Sequence, residues 1–272
     1  MGAVHGCYLK YVGLSLTSWA LASLIHPAPD LTRRALDVTG DIQPWRLAGA
    51  TALYYSCLVN GVIAVLFKSR RFTRIIGKDS DRGTIPLWSY CIFAPFHIPT
   101  MLYTYVHVKQ MVKKGIPVAS EVVKGWWIGG RYSHLLERKW SCVVDLTVEF
   151  PELCRAQTES YVHVPLWDGN PPTPELLEHA ASTAAAALKK GGSGVRNGDV
   201  LVHCAHGVGR STTVMCACLV RVGKFSTWEE AFEAWLVFIL SLDGSHSQFR
   251  PLYYMCYFFS HNIVLCTLVT RC

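Results

Sequence analysis

The stretch from 200 to 213 limits the possible folds more than any other part of the chain. Val200-Leu201-Val202 reads as a buried strand and runs into His203-Cys204. The loop Ala205-His206-Gly207-Val208-Gly209 follows, and Arg210-Ser211-Thr212-Thr213 opens an apolar helix. A strand, a glycine-bearing loop and a helix in that order make a phosphate cradle. Glycines let backbone N–H groups point inward, and the helix presents its positive end to the same spot. Arg210 adds a planar fork suited to two phosphate oxygens, and the combined field favours the thiolate of Cys204. The spacing thus sets a nucleophile inside an anion site, with Ala205, His206, Gly207, Val208, Gly209 and Arg210 as phosphate-binding candidates.

His203-Cys204, five residues, then Arg210-Ser211 resembles the signature of cysteine-dependent protein phosphatases, in particular their dual-specificity branch. A strand before, glycines within, a hydroxyl directly after the arginine and a helix beyond make the match more specific than a bare cysteine and arginine. The resemblance runs roughly from Val118 to Phe258 and does not reach the first hundred residues. It implies an α/β fold, a dual-specificity-phosphatase-like sheet flanked by helices. It also implies that Ser211 hydrogen-bonds the cysteine sulfur and assists its departure from phosphorus, and that His203 helps to hold the loop. His206 departs from the small residue common at its position, and its charge state stays open.

Hydrolysis of a phosphate monoester through cysteine also needs a proton donor for the leaving oxygen. Leu166-Trp167-Asp168-Gly169-Asn170-Pro171-Pro172 offers one, an aspartate at a strand end in a loop punctuated by glycine and prolines. This stretch is similar to the acid loop of the family, although an aspartate before glycine is also a common turn-former. Asp145 and Asp199 lie in or beside strands and suit the role less well. No metal or other cofactor is expected. His179, His203 and His206 form no ligand set with any carboxylate spacing, and the run Gly191 to Gly194 follows a helix instead of opening one.

Apolar residues make up 51% of the chain and charged residues 17%, more apolar than an ordinary soluble enzyme, and membrane segments account for the excess. The net charge of +7 does not read as a nucleic-acid footprint, because the basic residues form no face interleaved with aromatics. They gather beside apolar runs, which suits anionic lipid. The eleven cysteines show no metal-pair spacing and read as reduced, mostly buried thiols in a reducing compartment.

Residues 1–108 are expected to form an α-helical membrane region with spans at about 8–26 and 47–67. The second is bounded by Arg46 and Lys68 and matches the hydrocarbon thickness. Lys68, Arg70, Arg71, Arg74, Lys78 and Arg82 follow it, which places that loop in the cytosol beside anionic lipid. Residues 86–108 are apolar but carry Pro95, His97 and Pro99. A third span would take the cysteine domain out of the cytosol, whereas a re-entrant hairpin bent at the prolines keeps it there. A connector at 109–117, a catalytic domain at 118–258 and an apolar tail at 259–272 complete the division. Strands are expected at 122–128 (turned by Gly129-Gly130), 141–146, 161–166 and 199–203. Helices are expected at 173–190 (capped by Thr173), 211–222, 227–240 (capped by Thr227) and 248–258.

The reading that follows is a membrane-anchored phosphatase with its catalytic domain facing the cytosol, working through a cysteinyl-phosphate intermediate with Cys204, Arg210, Asp168 and Ser211 as catalytic residues. Protein phosphotyrosine and phosphoserine/phosphothreonine stand first as substrates. A phospholipid monophosphate such as phosphatidylglycerophosphate is the alternative, since the cradle holds no lysine for a polyphosphorylated ring. A rhodanese-type sulfurtransferase or a non-catalytic phosphate-binding relative is the further rival.

Overall fold

A computed structural model describes residues 2–25, 44–191 and 198–242. The glycine run at 192–194, the helix expected at 248–258 and the tail at 259–272 lie outside the described residues. The element order is α1 (Gly2–Ile25), α2 (Pro44–Ser69), α3 (Leu87–Ile92), α4 (Ala94–Lys113), β1 (Ala119–Val123), β2 (Trp126–Gly129), β3 (Trp140–Thr147), β4 (Thr158–Leu166), α5 (Pro174–Gly191), β5 (Val200–His203), α6 (Arg210–Arg221) and α7 (Trp228–Leu242).

The strands form one mixed sheet in the order β1-β2-β5-β3-β4. Only β1 and β2 pair antiparallel. Side chains alternate across the sheet, as the two-residue period of a strand requires. Val200 and Val202 of β5, with Cys142, Val144 and Leu146 of β3, bury against α5, α6 and α7. Leu201 and Val143 point the other way, into a smaller cluster with Trp140 and Cys154. β5 sits at the centre of the sheet, so its C-terminal end, where Cys204 begins, is fixed from both sides.

The strand expected at 122–128 is in fact a hairpin. The chain turns at Gly125, whose φ of +82° suits a residue without Cβ, and Glu121 Oε1 accepts the Gly125 N–H at 2.7 Å. Gly129-Gly130 instead serve the cradle. The helix caps behave as their hydroxyls suggest: Thr173 Oγ1 accepts from Leu176 N at 3.4 Å, and Thr227 Oγ1 from Glu230 N at 3.2 Å.

Among the described residues, α2 is the one helix long and apolar enough to cross a membrane by length and composition. α1 lies along it, joined by small polar contacts: Ser15 Oγ donates to the Cys57 carbonyl at 2.8 Å, and the Ser18 and Ser56 hydroxyls meet at 3.1 Å. The apolar segment after α2 is bent rather than one continuous helix. Its bend falls at Phe93, and Pro95 lies in the first turn of α4, where no intrahelical N–H bond is lost. Pro99, expected to interrupt the segment, is carried inside α4 without a break, because the bond it forgoes is to the Pro95 carbonyl near the helix start. The buried imidazole of His97 meets Ser89 Oγ at 3.2 Å.

The bend and both ends of this segment rest on the α/β domain, Phe93 and Phe96 packing with Val148 and Trp167. On the entry side, Ile76 and Ile85 pack with Val148 and Trp167, and Glu152 N donates to the Gly83 carbonyl at 2.8 Å. On the return side, His107 of α4 stacks edge-on against His206, ring centroids 4.7 Å apart. The connector expected at 109–117 is helical through Lys113 as the end of α4. Lys78, counted in the sequence among the lipid-facing cations, is instead buried, its ammonium paired with Asp145 and donating to the Thr147 carbonyl at 2.8 Å.

Candidate active site

The site lies where β3, β4 and β5 end, at the carboxyl edge of the parallel strands, where α/β sheets place their ligands. Cys204 is 4% exposed at the tip of β5. Its Sγ receives the Gly207 N–H at 3.3 Å and lies 3.4 Å from Ser211 Oγ. Burial alone pushes the thiol up. Arg210, the Ser211 hydroxyl and the N–H groups of Ser211 and His206 outweigh that, and Cys204 is held below its ordinary range.

The cradle loop is seated on Gly129-Gly130. Cys204 N donates to the Gly129 carbonyl at 3.3 Å and Arg131 N to the Ala205 carbonyl at 3.2 Å, while Gly130 and His206 form an isolated antiparallel bridge. Gly207 has a φ of +80°, and a Cβ on it would lie 2.7 Å from the Gly129 backbone, so no other residue fits without moving the platform.

Arg210 is 1% exposed and almost wholly engaged. Its Nη1 donates to the carbonyls of Leu146 (3.1 Å) and Leu166 (2.7 Å), and its Nη2 reaches Glu149 Oε1 at 2.6 Å. Glu149 thus holds the guanidinium in a two-point pair, with Nη1 also 3.2 Å from Oε2, and Nε keeps no protein partner. Burial opposes the charge on Arg210, but Glu149 and Asp168 prevail and keep it protonated. Sequence reasoning missed Glu149, which stands 61 residues from Arg210 in a stretch with no recognisable motif.

Asp168 Oδ1 lies 3.3 Å from Arg210 Nη2, its side chain 42% exposed. Partial burial would raise its pKa; Arg210 above all, then His206 and Lys10, hold it below the usual carboxylate range. The loop around it is tied on both sides to the end of α2: Trp167 Nε1 donates to the Arg71 carbonyl at 3.0 Å and Asn170 Nδ2 to the Phe67 carbonyl at 3.2 Å. The first hundred residues therefore position the loop that carries Asp168 as well as preceding it.

His206 packs against Tyr103 and His107 of α4, and burial lowers its pKa to about 4 despite Asp168, so it is neutral at physiological pH. His203, the residue before Cys204, meets Glu152 Oε2 at 2.6 Å and Asp145 Oδ1 at 3.9 Å. Burial works against its charge, but those carboxylates win and raise it to about 9. Asp145, Glu152 and His203 approach one another closely enough to hold a cation. Lys78 and the imidazolium already supply positive charge there, and Tyr161 Oη donates to Asp145 at 2.8 Å. Asp199 is paired with Arg138 on the far side of the sheet.

A buried His203 of raised pKa favours the native state in its protonated form. Its contribution is complete below ~6.5, the unfolded value, and disappears as pH rises through about 9. Urea midpoints measured from pH 6 to 10 are expected to fall across that window, and His203→Gln is expected to lower stability at pH 6 and to flatten the fall. An unchanged slope in the variant would detach it from His203.

The sheet and these loops bring Cys204, Ser211, Arg210 and Asp168 together at one end of an α/β domain. Residues 115–224 match a family model described as polymorphic toxin system, DSP-PTPase phosphatase. A 90-residue stretch is 38% identical to dual specificity protein phosphatase 14 of Mus musculus; it covers 32% of this chain and 42% of the mouse protein, less than half its length. Two solved structures are also similar. Tk-PTP in the active form has 20% identity and a TM-score of 0.38 over 53% of this chain and 97% of that one. Human DUSP28 has 18% identity and a TM-score of 0.37 over 53% and 97%. The chain thus carries a domain similar to dual-specificity phosphatases.

Proposed function

We propose that the protein is a membrane-anchored phosphatase that hydrolyses phosphate monoesters through a cysteinyl-phosphate intermediate. The observation that carries this reading is the convergence of Cys204, Ser211, Arg210 and Asp168 around one anion cradle. The Cys204 thiolate attacks phosphorus in line, forming the S–P bond as the ester O–P bond breaks. Arg210 and the amides from Ala205 to Arg210 hold the equatorial oxygens. Asp168 gives its proton to the leaving oxygen, then as carboxylate takes one from the water that breaks the S–P bond, and Ser211 steadies the departing thiolate. In the free site Arg210 depresses Asp168. A bound phosphate dianion draws on that same positive charge and adds its own negative field, which returns Asp168 toward the protonated form an acid needs. The relative's name suggests phosphoprotein as a substrate; a lipid phosphate monoester is the alternative.

Hydrolysis of p-nitrophenyl phosphate by the purified full chain in bilayers tests this reading. Alkylation by iodoacetate at mildly acidic pH is expected to inactivate at Cys204, with inorganic phosphate protecting. Absence of hydrolysis would sink the proposal.

The anchor belongs to the same proposal: spans at about 8–26 and 47–67, a re-entrant hairpin at 86–108, and a catalytic domain from 118 facing the cytosol. Its support is that α2 is, among the described residues, long and apolar enough to cross a membrane, and that the segment from Ile85 to His107 stays against the α/β domain, Ile85, Phe93 and Phe96 packing with Val148 and Trp167 and His107 with His206, so its two ends share one side of any bilayer. Epitope tags inserted near Arg82 and at the C-terminus are expected to be equally accessible from the cytosol in selectively permeabilised cells. Opposite accessibility would make the hairpin a true span.

A further inference from the structure

The mouth of the cradle is walled by the helices of the N-terminal region. A cleft of about 310 Å³ opens beside Asp168 and Ala205 and is bounded by Tyr11 and Leu14 of α1 and by Pro99 and Tyr103 of α4. The leaving oxygen must face Asp168 to be protonated, so whatever that oxygen carries leaves through this cleft. We infer that the natural substrate is a phosphate monoester on an apolar tail lodged in the bilayer, and that the tail exits between α1 and α4. This rests on the phosphatase reading above.

The lining supports a tail over a peptide backbone. The Tyr11 and Thr100 hydroxyls lie 3.3 Å apart and satisfy one another, and the Tyr11 ring is packed on Phe67 and Phe96. Lys10 is the one lysine or arginine among the lining residues, and its ammonium sits over the Tyr103 ring at the rim, where an anionic headgroup would pass. Beyond the rim the same two helices expose apolar side chains: Leu16, Trp19 and Leu24 of α1, and Ile98 and Leu102 of α4. They lie on faces of α1 and α4 turned away from the cleft, where helices assigned to the membrane region would meet lipid, so a tail passing between the two helices would reach that lipid. A tail leaving the cradle passes Leu14 and the Tyr11 and Tyr103 rings in a lining that also holds Thr100, Thr104 and Glu149, whereas a phosphorylated loop of a folded protein would have to push its backbone between the helices.

Chain-length dependence reads this directly. Full burial of one methylene is worth ~fourfold in binding, so kcat/KM of the full-length protein in bilayers should rise at least ~tenfold from butyl through hexyl to octyl phosphate. Partition of longer chains into the bilayer would also give a rise, and variants in the cleft separate the two. Leu14→Gln is expected to flatten the series. Leu14→Trp, which keeps the wall apolar but narrows it, should bring the plateau to a shorter chain. A slope identical in wild type and both variants would overturn the exit route. A flat series, or a phosphotyrosyl peptide turned over ~tenfold faster than octyl phosphate, would overturn the apolar-tail substrate and leave a protein phosphatase. Failure on every substrate, p-nitrophenyl phosphate included, would remove the phosphatase reading itself.

Discussion

Cys204→Ser is expected to lower phosphate release by ~10⁴-fold or more, the order found when a covalent nucleophile is removed from a site that keeps its binding groups. The loss follows from the division of labour in the cradle. Arg210, the loop amides and the α6 N-terminus hold the anion, and their field brings a thiol below its ordinary pKa. The same field acts on a hydroxyl that starts far higher and leaves it protonated, hence inert. Binding is expected to survive, since no contact to the equatorial oxygens is lost. Initial rates on p-nitrophenyl phosphate, with calorimetry of a non-hydrolysable phosphonate, check both halves. A serine variant near the wild-type rate would end the mechanism.

The second large effect is expected at Asp168. Asn keeps the shape and the tie of the loop to α2 but cannot donate the proton. The loss should be ~10² to 10⁴-fold for alkyl or tyrosyl esters and small for p-nitrophenyl phosphate, whose leaving oxygen needs little help. The pH profile carries a second signature. Turnover from the free enzyme needs Cys204 deprotonated and Asp168 protonated, and both are held below their ordinary ranges, so the optimum of kcat/KM should lie on the acid side of neutrality. In Asp168→Asn the rising limb remains and the falling limb disappears. Equal losses on good and poor leaving groups would reassign Asp168 to structure.

What the sequence made legible is what chemistry keeps local. Cys204, the loop and Arg210 lie within one strand–loop–helix unit, so spacing alone places nucleophile and cation together. Asp168 could be found because a strand end, a glycine and two prolines mark a loop. The supports were hidden because they are long-range. Glu149 reaches Arg210 across 61 residues, and Lys78 reaches Asp145 across 67. On sequence the first is an unremarkable acid after a strand and the second one more surface cation. Gly129-Gly130 read as a turn, yet their lack of side chains lets the cradle loop lie against their backbone. The apolar hairpin was readable as such, but its bend is set by Phe93 and the start of α4, and Pro99 fits within the helix. Least visible was the wall of the cleft, since nothing in α1 or α4 announces that Lys10, Tyr11 and Tyr103 border the opening beside Asp168.

The central claim is the covalent intermediate, and rapid acid quenching during turnover tests it most directly. With a substrate carrying radiolabelled phosphate, label should appear on the peptide containing Cys204, accumulate further in Asp168→Asn where the S–P bond is hydrolysed slowly, and be absent from Cys204→Ser. Steady turnover with no labelled protein at any quench time, or label retained in the serine variant on another residue, would contradict the account.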